Sequence, residues 1–297
     1  MSKKVSLRQI GFAALFILPA LILFIGFILG PMAYSLRISF FDWNIVKPER
    51  SEWVGLANYQ QALSDPVFRR AVVNTLVYAV ITVPGQIVIG LILAVLLDQD
   101  IRAKGFFRLL YYLPVITDWV IVSVLFEYLF SGQLGFVNYV LTELHIIQAD
   151  INWLADEILV FIPIHLLGIW KGMGWTAIVL LAGLQTIPDH LYEAAEVDGA
   201  NGLVRFFQIT LPLLRPTLVF TLVVLTIGAL NAYIPNLVIT NGGDPLDLTH
   251  FILTLMYEET FTRLEFGYGA AISYLLAILV FVVSVFQIRM LRRRVEV

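Results

Sequence analysis

The sequence predicts an all-α membrane protein with six transmembrane helices. Hydrophobic residues make up 59% of the 297 residues, and charged residues make up only 14%. A soluble domain carries about 25% charged residues, so much of the outer surface must face lipid. The chain also contains long uncharged runs, and about 20 apolar helical residues are enough to cross the hydrocarbon core of a bilayer. These three observations exclude most soluble enzymes.

Four uncharged runs, 9–36, 71–97, 216–243 and 266–288, are long enough to cross the bilayer, and two further apolar segments contain charged residues. The segment 106–130 has Arg108 near its start and holds Asp118 and Glu127, and the segment 158–184 holds Lys171. The predicted spans are 10–34, 71–97, 106–130, 158–184, 213–240 and 266–289. The segments between them are too short to build a separate core. Residues 1–297 are therefore predicted to form a single transmembrane domain.

Lysine and arginine residues are unevenly divided between the two sides of this topology. One side carries 12, namely Lys3, Lys4, Arg8, Arg102, Lys104, Arg108, Arg205, Arg215, Arg289, Arg292, Arg293 and Arg294. The other side carries 6, namely Arg37, Lys47, Arg50, Arg69, Arg70 and Arg263. Because loops rich in basic residues stay in the cytoplasm, both termini are predicted to be cytoplasmic.

Several kinds of chemistry find no support in the sequence. The net charge of −3 gives no reason to expect a nucleic-acid partner. There is no cysteine, and the dipeptide Gly-Lys of a phosphate-binding Walker A loop does not occur. The four histidines lie in four separate segments, so we predict no metal site, and no nucleophile motif is found.

The segment 186–212, between spans four and five, predicts a helix, a turn and a second helix. Pro188 and Asp189 are good helix starters, and Gly199 is placed to end the first helix with a positive φ. The second helix is predicted over 203–209, with Leu211 and Pro212 ending it before span five.

Two interpretations of this segment follow from its residues. Ala194 and Ala195 form a patch small enough for another protein to approach the backbone closely. Alternatively, the apolar residues Leu191, Tyr192 and Phe206 place the helix on the membrane interface, with its aromatic side chains among the lipid headgroups. The spacing alone supports both interpretations equally.

The same segment resembles the EAA loop of binding-protein-dependent ABC importer permeases. The matching positions also give the predicted ATPase-coupling residues, which are Glu193, Ala194, Ala195, Asp198, Gly199, Ile209, Leu211 and Pro212. The resemblance implies a type I ABC importer permease fold in which this loop docks into a cleft of a cytoplasmic ATPase subunit. It implies that Glu193 pairs with a basic ATPase residue, that the alanines permit deep insertion, and that Gly199 makes the bend.

Further motifs narrow the resemblance to carbohydrate-uptake permeases, of the maltose or glycerol-phosphate type. They are FILPA at 16–20, SFFDW at 39–43, VGLANY at 54–59, GFFRLLYYLP at 105–114, NWL at 152–154 and TNGG at 240–243. The resemblance implies a heterodimer with a second permease subunit and a sugar-like solute delivered by an extracytoplasmic solute-binding protein. It also implies two ATPase subunits that bind ATP and magnesium, with no cofactor in this chain. The expected location is a bacterial or archaeal cytoplasmic membrane.

Ionisable residues within the predicted spans are candidates for the substrate pathway. Three roles are open for Asp118: it could line an aqueous cavity, pair with Lys171, or mark a structural kink near Pro114. A basic residue at the position of Lys171 is common in the family that the chain resembles, so it is a weak sign of an anionic substrate.

The resemblance places Gly172 and Trp175 at the sugar site, with Gly228, Asn231 and Tyr233 on its opposite wall. Aromatic faces stack on the C–H faces of sugars, and a glycine gives room. The maltose-type subunit has asparagines where this chain has the stretch 228–233, which argues against maltose itself and leaves another hydroxylated solute. The alternatives are packing for Trp175 and an interhelical hydrogen bond for Asn231.

The sequence therefore predicts a transport subunit rather than an enzyme: the permease of an ATP-driven importer for a sugar, polyol or related solute. Two other classes are alternatives. An ion-coupled secondary transporter would need coupling-ion residues, for which Asp118 is a weak candidate, and an internal repeat, which is not visible. An intramembrane enzyme would need clustered catalytic groups.

Overall fold

The computed structural model describes residues 7–99 and 102–292. Four residues of the orientation count, Lys3, Lys4, Arg293 and Arg294, lie outside these residues. The described chain is almost entirely helical. The β-structure within it is one antiparallel pair, β1 (Phe41–Asp42) with β2 (Glu52–Trp53). The predicted all-α class is confirmed.

The helices of the described residues follow in chain order. They are α1 (Leu7–Phe24), α2 (Gly30–Ile38), α3 (Ala57–Ser64), α4 (Pro66–Asp98), α5 (Lys104–Ile116), α6 (Trp119–Leu129), α7 (Phe136–Glu143), α8 (Phe161–Leu184), α9 (Asp189–Val197), α10 (Gly202–Arg205), α11 (Leu211–Leu230), α12 (Ile234–Ile239), α13 (Ile252–Tyr257) and α14 (Phe266–Arg292). Three π-helical turns, Ile25–Leu29, Phe206–Thr210 and Glu258–Thr262, and one 3₁₀ turn, Pro48–Arg50, complete the helical segments.

The chain divides into two compact units, of which the first comprises the chain up to Ser64 together with Met256–Leu275. Its first long helix carries no buried residue between Leu15 and Ile38, as suits a helix surrounded by lipid. The hairpin that follows is held by Asn58, whose amide donates to the carbonyl oxygens of Ser39 and Phe41 at 2.9 and 3.0 Å. Gly267 packs against the same strand, where a Cβ atom would lie 2.0 Å from the Phe41 carbonyl oxygen.

The second unit, Asp65–Leu255 with Leu276–Val297, is built around the close packing of α4 on α8. Glycines on both helices allow this approach. A Cβ on Gly168 would lie 2.4 Å from the Tyr78 hydroxyl, and a Cβ on Gly90 would lie 2.5 Å from the Thr176 methyl group. Small residues at such contacts are characteristic of helix packing in membranes, where van der Waals contact drives association.

The third predicted span is not a continuous helix. Five described helical segments are long and apolar enough to cross a membrane, and α5 with α6 makes a sixth only as a pair bent by 94°. Asp118, expected in the middle of a span, instead begins α6. Its carboxylate accepts a hydrogen bond from the Val120 N–H at 2.7 Å, as aspartate does at a helix start.

The helix after the turn also differs from the expectation. Leu211 and Pro212 were predicted to end it, but α10, the π-helical turn Phe206–Thr210 and α11 follow one another without a break. Pro212 lies in the first turn of α11, where the absence of a backbone N–H is tolerated.

Candidate functional site

A cavity of about 430 Å³ lies within the second unit, lined by residues of α4, α5, α6, α8 and α11 and of the start of α12. Six of the predicted substrate-pathway residues line it, namely Lys171, Gly172, Trp175, Gly228, Asn231 and Tyr233. Asp118 is the exception. Residues that the sequence analysis did not select also line the cavity, most notably Tyr78, Gln86, Gly168 and Trp119.

Lys171 is only 5% exposed and is held by backbone carbonyls. Its Nζ donates to the carbonyl oxygens of Pro114 at 2.9 Å and Thr117 at 2.5 Å, and lies 4.8 Å from the centroid of the Trp119 indole ring. Carbonyls at the end of a helix lack helical partners and carry partial negative charge. The ammonium group therefore stabilises the end of α5 and the bend that follows it.

The sequence left open whether Asp118 pairs with Lys171, and the two side chains have different partners. The carboxylate of Asp118 caps α6, whereas the ammonium of Lys171 binds carbonyls at the end of α5. Asp118 thus lies at the kink near Pro114, where its carboxylate caps α6. Thr117 adds to this kink by donating from its hydroxyl to the Pro114 carbonyl oxygen at 2.7 Å.

The space beside Gly172 is occupied by a side chain of the protein and is not left open. A Cβ atom there would lie 2.2 Å from Oε1 of Gln86 and 2.7 Å from its Nε2. The Gln86 side chain therefore lies over Gly172. Its Nε2 donates to the Gly168 carbonyl oxygen at 3.0 Å, which ties α4 to α8 across the cavity wall.

The Oε1 atom of Gln86 is buried and has no hydrogen-bond partner among the described residues. An unsatisfied buried acceptor costs about 1–3 kcal/mol. Gln86 does not stand out in the sequence, because it is neither ionisable nor part of a distinctive motif. The available signal was a neutral amide within an otherwise apolar run of α4.

The opposite wall of the cavity is more open. A Cβ on Gly228 would meet no atom within 4 Å, so this glycine does leave space. The amide of Asn231 donates back to Ile227 of its own helix at 2.8 Å, so that this bond does not cross to another helix. Tyr233 is 37% exposed, between the end of α11 and the start of α12.

The 186–212 segment forms the second candidate site. Gly199 follows α9 with φ +79°, so the predicted positive φ is confirmed. Asn201 then starts α10 by accepting a hydrogen bond from the Val204 N–H at 2.9 Å. These two residues produce the predicted turn between helices.

One face of α9 packs inward and the other is exposed. Leu191 and Tyr192 pack against a buried apolar cluster that includes Leu184 and Leu214. The Tyr192 and Thr210 hydroxyl oxygens lie 3.0 Å apart, which links α9 to the turn that leads into α11. Arg205 adds an ion pair with Glu196 at 3.2 Å.

Most of the predicted coupling residues are exposed, and two of them, Glu193 and Ala194, lie on the exposed face of α9. Glu193, Ala194, Asp198, Gly199 and Pro212 are exposed, whereas Ala195, Ile209 and Leu211 are partly buried. Within the described part of the chain, Glu193 makes no hydrogen bond or ion pair. Val197 is 89% exposed on the same short helix, so this face offers apolar surface together with an unpaired carboxylate.

The family model described as "Binding-protein-dependent transport system inner membrane component" matches residues 62–297. This range includes both the cavity and the 186–212 segment.

Close relatives share this similarity over nearly their whole length. The chain is 35% identical to the lactose transport system permease protein of Rhizobium radiobacter, covering 94% of each chain. It is 32% identical to the trehalose/maltose transport system permease protein of Thermococcus litoralis, covering 99% of this chain and 98% of the relative. A crystal structure of a bacterial ABC transporter involved in the import of the acidic polysaccharide alginate contains the same fold. The TM-score is 0.82 at 23% identity, over 97% of this chain and 98% of that chain.

Proposed function

The chain belongs to the family of binding-protein-dependent transport system inner membrane components, and we propose that it forms the path by which a sugar, polyol or related solute crosses the membrane. The family match covers residues 62–297, and relatives above 30% identity span nearly all of the chain. The chain is thus a permease of an ABC importer. It is a transport subunit rather than an enzyme, and ATP hydrolysis takes place on separate subunits.

The observation that carries the proposed solute class is the chemistry of the cavity. Trp119, Trp175 and Tyr233 offer aromatic surface, and the polar groups among them are few and neutral apart from Lys171. An aromatic face favours the C–H face of a sugar ring, and isolated amide groups suit its hydroxyls. The solutes named for two relatives, lactose and trehalose/maltose, support this class.

The proposed assembly contains three kinds of partner. A second permease subunit completes a heterodimer, two ATPase subunits bind ATP and magnesium, and an extracytoplasmic binding protein delivers the solute. Both termini and the 186–212 segment lie on the ATPase side of the membrane in this arrangement. The distribution of lysine and arginine residues supports this orientation.

The proposed coupling route runs from α9 to the cavity along α11. Glu193 and Ala194 present the exposed face of α9 to an ATPase cleft, and the contact of Tyr192 with Thr210 joins α9 to the start of α11. Near the other end of α11, Gly228 and Asn231 line the cavity. Movement of the 186–212 segment with the closing ATPase subunits would shift this cavity wall and change the side on which it opens.

Uptake by a reconstituted complex tests the proposal. The chain is co-purified with its partner subunits, placed in liposomes, and assayed with radiolabelled lactose, trehalose, maltose and glycerol, with and without ATP and a protonophore. We expect uptake of at least one of these solutes that requires ATP and the binding protein and resists the protonophore. Uptake abolished by the protonophore would indicate a secondary transporter, and uptake of none of the four would contradict the solute class.

A further inference from the structure

One polar side chain of the cavity wall holds an oxygen atom without a partner. Gln86 lies on α4, is 8% exposed and lines the cavity together with Lys171, Gly172 and Trp175. Its Oε1 accepts no hydrogen bond from any described residue. We infer that Gln86 contacts the transported solute, and that its side-chain oxygen accepts a hydrogen bond from a solute hydroxyl. This inference rests on the proposed function.

The surrounding residues fix the position of this oxygen. The other end of the amide, Nε2, is engaged by the Gly168 carbonyl oxygen at 3.0 Å. The side chain lies against Gly172, where a Cβ atom would approach Oε1 to 2.2 Å. Gly168 and Gly172 are one helical turn apart on α8, so one helix face both holds the amide and leaves the space that it fills. A side chain held in this way loses little freedom when it binds a ligand.

The unpaired Oε1 atom of Gln86 also determines which chemical group of the solute it can bind. A carbonyl oxygen only accepts hydrogen bonds, so its partner must be a donor. A sugar hydroxyl can donate, whereas a carboxylate or phosphate oxygen would place two acceptors in contact. Two of the three donors of the Lys171 ammonium are engaged by the Pro114 and Thr117 carbonyl oxygens. The Gln86 oxygen therefore requires a hydrogen-bond donor on the solute, such as a sugar hydroxyl.

Gln86 adds a third wall to a site expected between α8 and α11 alone. Trp175 supplies an aromatic surface from α8, Asn231 lies at the end of α11, and Gln86 supplies the acceptor from α4. A ring that stacks on an aromatic side chain is then also fixed by a directional hydrogen bond.

Two substitutions separate solute recognition from the bond to Gly168. Gln86→Met has a similar length and removes both the acceptor and the donor, whereas Gln86→Glu keeps an acceptor oxygen. The reconstituted complex is assayed for the KM of whichever of lactose, trehalose and maltose the natural chain transports. Gln86→Met should raise this KM about 5- to 10-fold, the effect of losing one neutral hydrogen bond. Gln86→Glu should raise the KM less than Gln86→Met does, because an acceptor oxygen remains.

An unchanged KM in Gln86→Met would overturn the inference. Equal increases in both variants would also overturn it, because they would assign the effect to the bond with Gly168. The thermal stability of each purified complex is measured in parallel, so that a folding defect is recognised as such.

Chemical labelling provides a test that does not depend on KM. Because the chain contains no cysteine, a single Gln86→Cys substitution gives this chain one thiol for 2-sulfonatoethyl methanethiosulfonate, and the complex with the natural chain gives the background reaction. Thr82→Cys is the matched control, one turn earlier on α4, fully buried and absent from the cavity lining. We expect the Gln86→Cys variant to react faster than the control, and the transported sugar to slow its reaction.

Equal reactivity of the two variants, or reaction that the transported sugar does not slow, would contradict the inference. Uptake by the natural chain in the same liposomes distinguishes a failure of the proposed solute class from a failure of the role of Gln86. If that chain transports none of lactose, trehalose, maltose and glycerol, the proposed solute class has failed. If it transports one of them while the Gln86→Cys variant is unprotected, only the role of Gln86 has failed.

Discussion

The ammonium nitrogen of Lys171 lies 2.9 Å from the carbonyl oxygen of Pro114, in the last turn of a helix 57 residues earlier in the chain. A second bond from the same nitrogen reaches Thr117, at the bend between α5 and α6. One lysine on α8 thus satisfies carbonyls that the broken helix leaves without partners. In a membrane these carbonyls would otherwise have no water to bind.

Lys171→Met should destabilise this bend. Loss of the ammonium leaves the Thr117 carbonyl without this donor, whereas the Pro114 carbonyl keeps the bond from the Thr117 hydroxyl. An unsatisfied buried carbonyl costs about 1–3 kcal/mol, so we expect a lower unfolding temperature. Spin labels at Leu109→Cys on α5 and Tyr128→Cys on α6, both exposed positions, should give a broader distance distribution in this variant. Lys171→Arg keeps the positive charge and serves as the control. An unchanged distribution in Lys171→Met would show that the bend does not depend on the lysine.

Gly199→Val should uncouple transport from ATP hydrolysis. At φ +79° a β-branched residue is strained by about 1–2 kcal/mol or more, although a side chain there would meet no neighbouring atom. Gly202→Val is the matched control, because its Cβ also meets no atom and its φ is not positive. We expect solute transported per ATP hydrolysed to fall only in the Gly199 variant. Equal coupling in both variants would show that the bend is not needed.

Tyr192→Phe should weaken the link between α9 and the start of α11. The tyrosine and threonine hydroxyls form one hydrogen bond, worth about 0.5–1.5 kcal/mol. The measurement is solute transported per ATP hydrolysed, which we expect to decrease while ATPase activity persists. Thr210→Val should have the same effect, and the double variant should add nothing further, since both changes remove the same contact. Additive effects would show that Tyr192 and Thr210 act on coupling independently and not through their shared hydrogen bond.

Glu193→Ala should reduce the amount of ATPase subunit that co-purifies with the permease. The carboxylate has no partner among the described residues, and burial in a protein cleft would pair it with a cationic side chain. Removal would strand that cation at a cost of about 2–5 kcal/mol. Glu196→Ala is the control, because this neighbouring glutamate already pairs with Arg205 within the chain. Full ATPase retention and uptake in Glu193→Ala would instead place α9 on the lipid interface.

Trp175→Ala should lower uptake of the transported sugar while the complex still assembles. The side chain lines the cavity on α8, and its aromatic face is the group proposed to contact the sugar ring. Trp175→Phe keeps an aromatic face and should retain more uptake. Transport kinetics and the yield of assembled complex are measured together. Loss of assembly in Trp175→Ala would identify the tryptophan as a packing residue.

The helical membrane class and the turn between α9 and α10 could be predicted from the amino-acid sequence. Span prediction depends on hydrophobicity averaged over about 20 residues, and this property is read directly from the chain. The turn depends on local chemistry, with Pro188 before the first helix and a glycine at its end. The selection of cavity residues such as Trp175 came from resemblance to a family rather than from composition or spacing.

The contacts between groups on different helices could not be predicted from the sequence and are visible only in the folded chain. The bond from Gln86 to Gly168 joins residues 82 positions apart, and the break before Asp118 is contacted by a lysine of another span. Hydropathy cannot identify such contacts, because lipid tails are as apolar as the interior of the helix bundle. The inward and outward faces of a membrane helix therefore have similar composition. The two faces are distinguished by close helix approach at glycines such as Gly172 and by the positions of individual polar atoms.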